Sequence, residues 1–402
     1  MHLHDNVLLA FSGGLDTSFC AAWLKHEKGL NVHAVTIDTG GFTAQEKAQI
    51  EERAHLLGVS NFTWINGIPA YYSKVIRHLV YGNVLKNGTY PLSVSAERMT
   101  QAFLLAEYAQ QNNFSLIAHG STGAGNDQVR FDLIFDLLLP GAKIITPIRD
   151  LRLSREEEIS WLSEKGIRFD FTKAAYSINK GLWGTSVGGR ETLTSHESLP
   201  EEAWPVQCSK TLPEKIALGF SAGELCSING KTLSPVEAIA ELHTLAAPFG
   251  IGRDIHIGDT IIGIKGRVGF EAAAPLLIIK AHHALEKHVL TKWQLMLKEQ
   301  LAHWYGTWLH EGQYFEPAMR NIEAFFKSTQ QHVSGEVFIT LHPYRFTVDG
   351  IKSNADLMQA QGSSYGEMNN GWSGDDVKGF TRIYGNAVKT WMKLHTEKEA
   401  AQ

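Results

Sequence analysis

Cysteine is scarce in this chain. Only Cys20, Cys208 and Cys226 occur in 402 residues, widely spaced and without a C-x-x-C pair, which argues against a disulfide framework and against a zinc site. An excess of basic residues is also missing: 37 Lys and Arg stand against 42 Asp and Glu, for a net charge of −5 and a pI near 6.4. No nucleic acid and no membrane surface is therefore expected as a partner. No stretch approaches the roughly 18 consecutive apolar residues of a membrane span, and the run Val7 to Phe11 is too short for a signal-peptide core. A reducing, cytoplasmic setting is the expectation. Internal repeats and low-complexity tracts are absent as well.

What is present is the pattern of an ordinary globular chain, 44% hydrophobic and 20% charged, long enough for two domains and an appendage. Residues 6–11, 32–38, 61–66, 115–119 and 142–148 read as strands. Residues 16–28, 44–58, 95–111 and 154–166 read as helices, with Ser95 and Ser154 as candidate caps. This alternation predicts an α/β fold, a parallel sheet with helices on both faces over residues 1–170. Beyond it the pattern is mixed, with glycine-rich turns at 181–189 and 250–269, and predicts a second, α+β domain over 171–365. Residues 366–402 read as a polar connection to a C-terminal helix over 375–396. Trp293, Leu297, Leu301, Trp304 and Trp308 recur at helical spacing, read as core or subunit contact rather than as a cofactor site. His282, His283, His288 and His310 match no zinc spacing and read as solvated helix positions.

The first strand runs into Ser12-Gly13-Gly14-Leu15-Asp16-Thr17-Ser18. A Gly-Gly pair alone marks a plain strand-to-helix turn, but here the following helix points the positive end of its dipole at the loop, and three hydroxyls surround it. That makes an anion cradle. The lysine that a Walker-type loop places beside its last Ser or Thr is missing. Backbone N–H groups and hydroxyls suit an intact pyrophosphate, held while the α-phosphate is attacked, and Asp16 can cap the helix or hold Mg²⁺. The stretch Ser115 to Asp132 is a second strand with a glycine-rich loop, Gly120, Gly123 and Gly125, facing the first loop across the sheet edge. Its Asn126, Asp127, Gln128 and Arg130 offer an amide, a carboxylate and a guanidinium for an amino acid's charged groups. Asn126-Asp127 as a helix cap and Arg130 as a surface charge is the equally open alternative.

The first loop resembles the pyrophosphate loop of ATP pyrophosphatases. "AFSGGLDTS" and "HGSTGAGNDQVRFD" together resemble the argininosuccinate synthase family, ligases that join citrulline to aspartate with ATP, and the similarity continues through "YPLSVSAER", "YSIN", "FEAAAP" and "MNNGWSGDDVKGF". The resemblance implies an adenine nucleotide alpha hydrolase-like first domain and a homotetramer. It implies that ATP, as substrate with Mg²⁺, is held by Ala10, Phe11, Ser12, Gly13, Gly14, Leu15, Asp16, Thr17, Ser18, Thr36, Ile37 and Gly120. Aspartate is then held by Thr122, Asn126 and Asp127, and citrulline by Tyr90, Ser95, Asn126, Arg130, Ser177, Ser186 and Glu271. Asp127, Arg130 and Asp16 are the expected catalytic groups, with Asp127 or His119 as candidate base. No protein metal site is expected. The family pattern is departed from at Val94, Gly188 and Ile279, where Thr, Glu and Tyr are expected near the citrulline site; a citrulline modified on its α-amino group is the alternative substrate. A tRNA-thiolating enzyme lacks support in the cysteines and the charge, and a non-catalytic ATP sensor needs neither the second loop nor a second domain.

Overall fold

The computed structural model describes residues 6–169, 176–359 and 371–399. β1 (Asn6–Ala10), β2 (Asn31–Asp38), β3 (Asn61–Asn66), β4 (Leu116–Ala118) and β5 (Lys143–Ile145) form a parallel sheet in the order β3-β2-β1-β4-β5. Successive β1 side chains serve opposite faces. Val7 and Leu9 pack with Phe19 of α1 (Leu15–His26), Ala54 of α2 (Ala44–Leu56) and Leu162 further along, whereas Leu8 packs with Val75 and Ile76 of the π-helical turn Tyr72–Ile76 that joins α3 (Ile68–Tyr71) to α4 (Arg77–Gly82). On that second face Met99 and Phe103 of α5 (Ser93–Gln111) and Phe135 of α6 (Asp127–Leu138) close the core. Burial on both sides is why the strand reads as a continuous apolar run. Strand order reverses between β1 and β4, which opens a crevice at their C-terminal ends.

Local chemistry explains most boundaries. Thr43 with Glu46 and Ser154 with Glu157 form capping boxes that start α2 and α8 (Arg155–Glu164). The strand expected to reach residue 148 stops at Ile145, because Pro147 begins α7 (Pro147–Leu151). Ser95 is not a cap: α5 starts at Ser93 after Leu92, held at φ 63, and Ser95 is buried inside the first turn.

The rest of the larger compact unit, which ends at residue 354, holds two antiparallel sheets. β11 (Arg253–Asp259), β12 (Lys265–Glu271), β7 (Gly184–Gly188) and β6 (Ser177–Gly181) form one. β10 (Lys231–Thr232), β9 (Glu224–Ile228), β8 (Glu214–Ser221), β13 (Gly335–His342) and β14 (Arg345–Lys352) form the other. Both glycine-rich turns thus belong to hairpins, β6-β7 and β11-β12. The first hairpin lies against the loop after β2, where Leu182 N–H donates to Thr39 O at 3.0 Å, and a Cβ on Gly41 would fall 2.0 Å from Lys180 O. Only glycine permits that approach.

Helices α9 (Pro235–Ala246), α10 (Ala273–Val289), α11 (Lys292–His310) and α12 (Pro317–Thr329) complete the unit. On α11, Trp293, Leu297 and Trp304 are exposed while Leu301 and Trp308 are partly buried against the core, so the stripe divides between the core and an open face. The expectation of solvated histidines fails in this unit. His282 is fully buried, its Nδ1 paired with Asn83 Oδ1 (2.6 Å) and its Nε2 with Gln330 Oε1 (2.8 Å), beside the buried ion pair of Glu286 and Lys298. His310 is buried too. From residue 355 a second compact unit holds α13 (Gly374–Tyr384) and α14 (Asn386–Glu399), two helices separated at Gly385 where one had been expected. Phe380, Ile383, Tyr384, Val388 and Trp391 of this pair are exposed. The expected domain boundaries at 170 and 366 lie outside the described residues. No described helix is long and apolar enough to cross a membrane.

Candidate active site

The loop after β1 is shaped by its backbone. Gly13 adopts φ +74, and a Cβ there would meet Ile50 Cγ1 at 2.8 Å, so the tight turn needs glycine. Its carbonyl accepts from Arg53. Gly14 N–H donates to Ser12 Oγ (3.3 Å), Ser12 N–H donates to Thr17 Oγ1 (3.3 Å), and the two hydroxyls lie 3.1 Å apart. Ser18 turns away: its buried hydroxyl donates to Gly14 O at 2.7 Å, back along its own helix, instead of lining the cradle. Gly120, two residues past β4, is tightly placed as well, since a Cβ would lie 3.2 Å from Thr17 Cγ2 and 3.3 Å from the Asp16 backbone. The two loops touch, as the strand order requires.

Between them lies a cavity of about 580 Å³. Ala10, Phe11, Ser12, Gly14, Leu15, Asp16, Thr17, Thr36, Ile37 and Gly120 line it, as do Thr122, Asp127 and Ser177; Gly13 and Ser18 do not. Val35, Phe42 and Leu105 add an apolar wall. Burial raises the Asp16 carboxyl above its ordinary value, against its own backbone N–H and the Arg155 charge.

A second cavity, of about 280 Å³, is lined by Tyr90, Ser95, Asn126, Asp127, Arg130 and Ser186 from the expected set, and by Val94. Asp127 and Asn179 line both cavities and form their common wall. Glu271 reaches neither. It is buried beside Arg253 (3.4 Å) with no hydrogen bond to its carboxylate oxygens, and burial pushes it up to about 6, with Arg253 only partly opposing. Of the three departures only Val94 borders the cavity. Ile279 is packed in the core through α10, and Gly188 ends β7 away from both cavities.

The wall is built by residues far apart in sequence. Arg98 Nε donates to Asp127 Oδ2 (3.1 Å) and Nη2 to Asn179 Oδ1 (3.0 Å). Arg130 Nη1 donates to Asp127 Oδ1 (2.8 Å), its Nε and Nη2 to His310 O (3.0 and 2.8 Å), and Nη2 to Ser95 Oγ (3.1 Å). Burial alone would raise Asp127, but the two guanidinium charges and their hydrogen bonds outweigh it and hold the carboxyl below its ordinary value. A carboxylate so held takes up a proton poorly, which argues against Asp127 as the base of the two candidates. His119 fits no better: it is buried, with Nε2 2.8 Å from Asp132 Oδ1 and Nδ1 accepting from Ser121 N–H. Glu97 lines the larger cavity; burial raises its carboxyl, and it accepts from Thr39 Oγ1 (2.5 Å) and Gln101 Nε2 (3.2 Å).

The sequence reading missed Glu97, Arg98, Asn179, His256 and His310. His256 stacks on Tyr90, centroids 4.8 Å apart, and His310 Nδ1 pairs with Ser95 Oγ at 2.9 Å. Burial lowers both histidines, His310 to about 3 with the Arg130 and Lys86 charges adding to the effect. No local signal marks them, because each belongs to a strand or helix distant from both loops.

A model of the argininosuccinate synthase N-terminal HUP domain matches residues 6–168, and one of the C-terminal domain of the same enzymes matches residues 176–391. The chain belongs to the argininosuccinate synthase family. It is 36% identical to the argininosuccinate synthase of Xanthomonas campestris over 97% of this chain and 99% of that one. It is 38% identical to that of Methanocaldococcus jannaschii over 83% and 85%, and 33% identical to that of Pyrococcus furiosus over 97% and 95%. Members of this family are ATP-dependent ligases, and the parallel sheet with its two glycine loops is the HUP architecture.

Proposed function

We propose that this chain catalyses the reaction of its family, in which ATP, a citrulline-type ureido amino acid and aspartate give the argininosuccinate product, AMP and diphosphate. The observation that carries this reading is the common wall: a phosphate-cradling cavity and a smaller polar cavity meet at Asp127 and Asn179. A ureido group at that wall reaches the α-phosphate of a nucleotide whose pyrophosphate rests on Ser12, Gly14 and Thr17. The ureido oxygen attacks the α-phosphorus as the bond to the β-phosphate oxygen breaks and diphosphate leaves. The aspartate amine, having lost a proton, then attacks the ureido carbon and expels AMP. No protein nucleophile takes part. The chain contributes alignment, and the helix N-terminus with the loop N–H groups stabilises the departing charge.

In this reading Thr122, Asn126 and Asp127 hold aspartate, while Tyr90, Ser95, Asn126, Arg130 and Ser186 surround the ureido substrate, with Ser177 on the nucleotide side. Arg130 spends its hydrogen bonds on Asp127, Ser95 and His310, so it is a positioning residue. Glu97 is a better acceptor than Asp127 for the ammonium proton, because burial raises its proton affinity. Among the described residues no group of three or more His, Cys, Asp or Glu is set to hold a metal. Asp16 is the loop carboxylate that would hold Mg²⁺, and the ion supplies neutralisation of the phosphate charge. The division into a nucleotide domain to 170, a substrate domain to 365 and a terminal helical element, a homotetramer covering the apolar faces of α11, α13 and α14, and a cytoplasmic location complete the proposal. Pyrophosphate release from Mg-ATP, with ureido substrate and aspartate each omitted in turn, tests it: release without any ureido substrate, or none with every ureido substrate, overturns it.

A further inference from the structure

One hydrogen-bond chain in the smaller cavity has a direction that its members fix, and it ends at His310, to which the reaction above gives no task. Arg130 is the fixed point, because a guanidinium only donates. Its Nη2 gives to His310 O (2.8 Å) and to Ser95 Oγ (3.1 Å). Ser95 Oγ and His310 Nδ1 lie 2.9 Å apart, and Nη2 stands 3.5 Å from the same Nδ1. Among the described residues the buried Ser95 hydroxyl meets no other acceptor. It therefore donates to Nδ1, which is a bare lone pair. The reverse polarity would leave the hydroxyl hydrogen unsatisfied in the interior and aim an Nδ1–H at a guanidinium.

The surrounding charges agree with that polarity. Burial lowers the imidazole to about 3, Arg130, Lys86 and His256 add to the effect, and only Asp127 opposes it, so the ring is neutral at neutral pH. Lys86 is itself held in place, donating to Thr307 Oγ1 one turn back on α11 at 3.0 Å. A neutral ring with a bare Nδ1 carries its hydrogen on Nε2. That nitrogen has no partner among the described residues, and it is not one of the polar atoms sealed in the interior. Its N–H thus opens on the cavity that His310 lines.

We infer that His310 binds the ureido amino acid, held as the Nε2–H tautomer by Arg130 acting through Ser95, and meets an oxygen of that substrate as a hydrogen-bond donor. The inference rests on the ligase reading above and adds a residue to its binding site. His310 moves no proton in either step: an imidazole whose lone pair is engaged and whose neighbours are cations does not take up the proton of the aspartate ammonium. Its contribution is orientation, from one hydrogen bond of a neutral donor.

Two variants separate the two nitrogens. In His310→Asn the amide oxygen stands near the Nδ1 place and keeps the Ser95 contact, but nothing reaches the Nε2 place; in His310→Gln the amide N–H reaches it. In pyrophosphate release with Mg-ATP, L-citrulline and aspartate, the Asn variant should raise KM for citrulline about tenfold. Its KM for ATP should stay within about threefold of the parent, because His310 does not line the nucleotide cavity. The Gln variant should recover most of the loss. An Asn variant with the parent's citrulline KM, or a loss equal for citrulline and ATP, overturns the inference. Nitrogen NMR of the whole chain labelled with ¹⁵N-histidine gives a readout independent of turnover, with the His310 signals identified by their loss in either variant. A protonated Nε2 whose resonance shifts on adding L-citrulline supports the inference; a protonated Nδ1, or an Nε2 that citrulline leaves unmoved in an enzyme that turns it over, overturns it. Absence of turnover by the parent with every ureido substrate removes the ligase reading and this inference with it.

Discussion

Arg130 is the side chain on which the smaller cavity hangs, and Arg130→Lys measures how much. The guanidinium is 3% exposed and makes four hydrogen bonds across three partners, from Asp127 at the start of α6 to His310 at the end of α11. Lysine carries the same charge but presents one nitrogen, which cannot serve Asp127, Ser95 and the His310 carbonyl together. Loss of two of the four bonds, at about 1.5 kcal/mol each for a charged donor, amounts to about 3 kcal/mol. Urea unfolding followed by tryptophan fluorescence should register a destabilisation of that order, provided slope and midpoint are fitted together. In steady-state pyrophosphate release the displaced cavity wall should lower kcat/KM for the ureido substrate by about a hundredfold, the scale of a misplacement of about 1 Å. Arg130 does not line the nucleotide cavity, so KM for ATP should change by less than about threefold. A variant as stable as the parent, or one whose ATP KM rises as steeply as that of the ureido substrate, would refute the positioning role.

Gly13→Ala adds a methyl group at φ +74 that meets Ile50 at 2.8 Å, and should cost about 1–3 kcal/mol while raising KM for ATP more than for the ureido substrate in initial-rate assays. Lys298→Met strands the buried Glu286 carboxylate, with a destabilisation of about 3–5 kcal/mol by urea unfolding; Glu286→Gln combined with Lys298→Met should recover part of it. Acid lability should trace in part to His282, which burial holds down to about 4. The unfolded chain takes up that proton near pH 6.5 and the folded chain does not, so stability is complete above about 6.5 and falls as pH drops toward 4, by up to about 1.4 kcal/mol per pH unit for this one group. His282→Gln should flatten the urea midpoint between pH 6.5 and 4, and an unchanged slope would contradict the assignment.

The nucleotide half of this protein is legible along the chain. Apolar runs alternating with amphipathic helices specify a parallel sheet because both faces of each strand are buried, and the Ser-Gly-Gly-x-Asp-Thr turn carries its own backbone requirement at Gly13. Capping boxes such as Ser154 with Glu157 are equally local, and so equally legible. The remainder depends on contacts between distant segments. Ser18 has the right chemistry for the cradle yet spends its hydroxyl on Gly14, and Ser95 looks like a cap but is a buried partner of Arg130 and His310. Glu271, chosen by motif, faces Arg253 away from both cavities, while Arg98, Asn179, His256 and His310 converge from separate strands and helices on one small space. Which carboxylate stays charged, which histidine stays neutral and which donor is left without a partner depend on desolvation and on neighbours brought together by folding. Sequence spacing carries no record of those distances, and it is they that set what the cavity accepts.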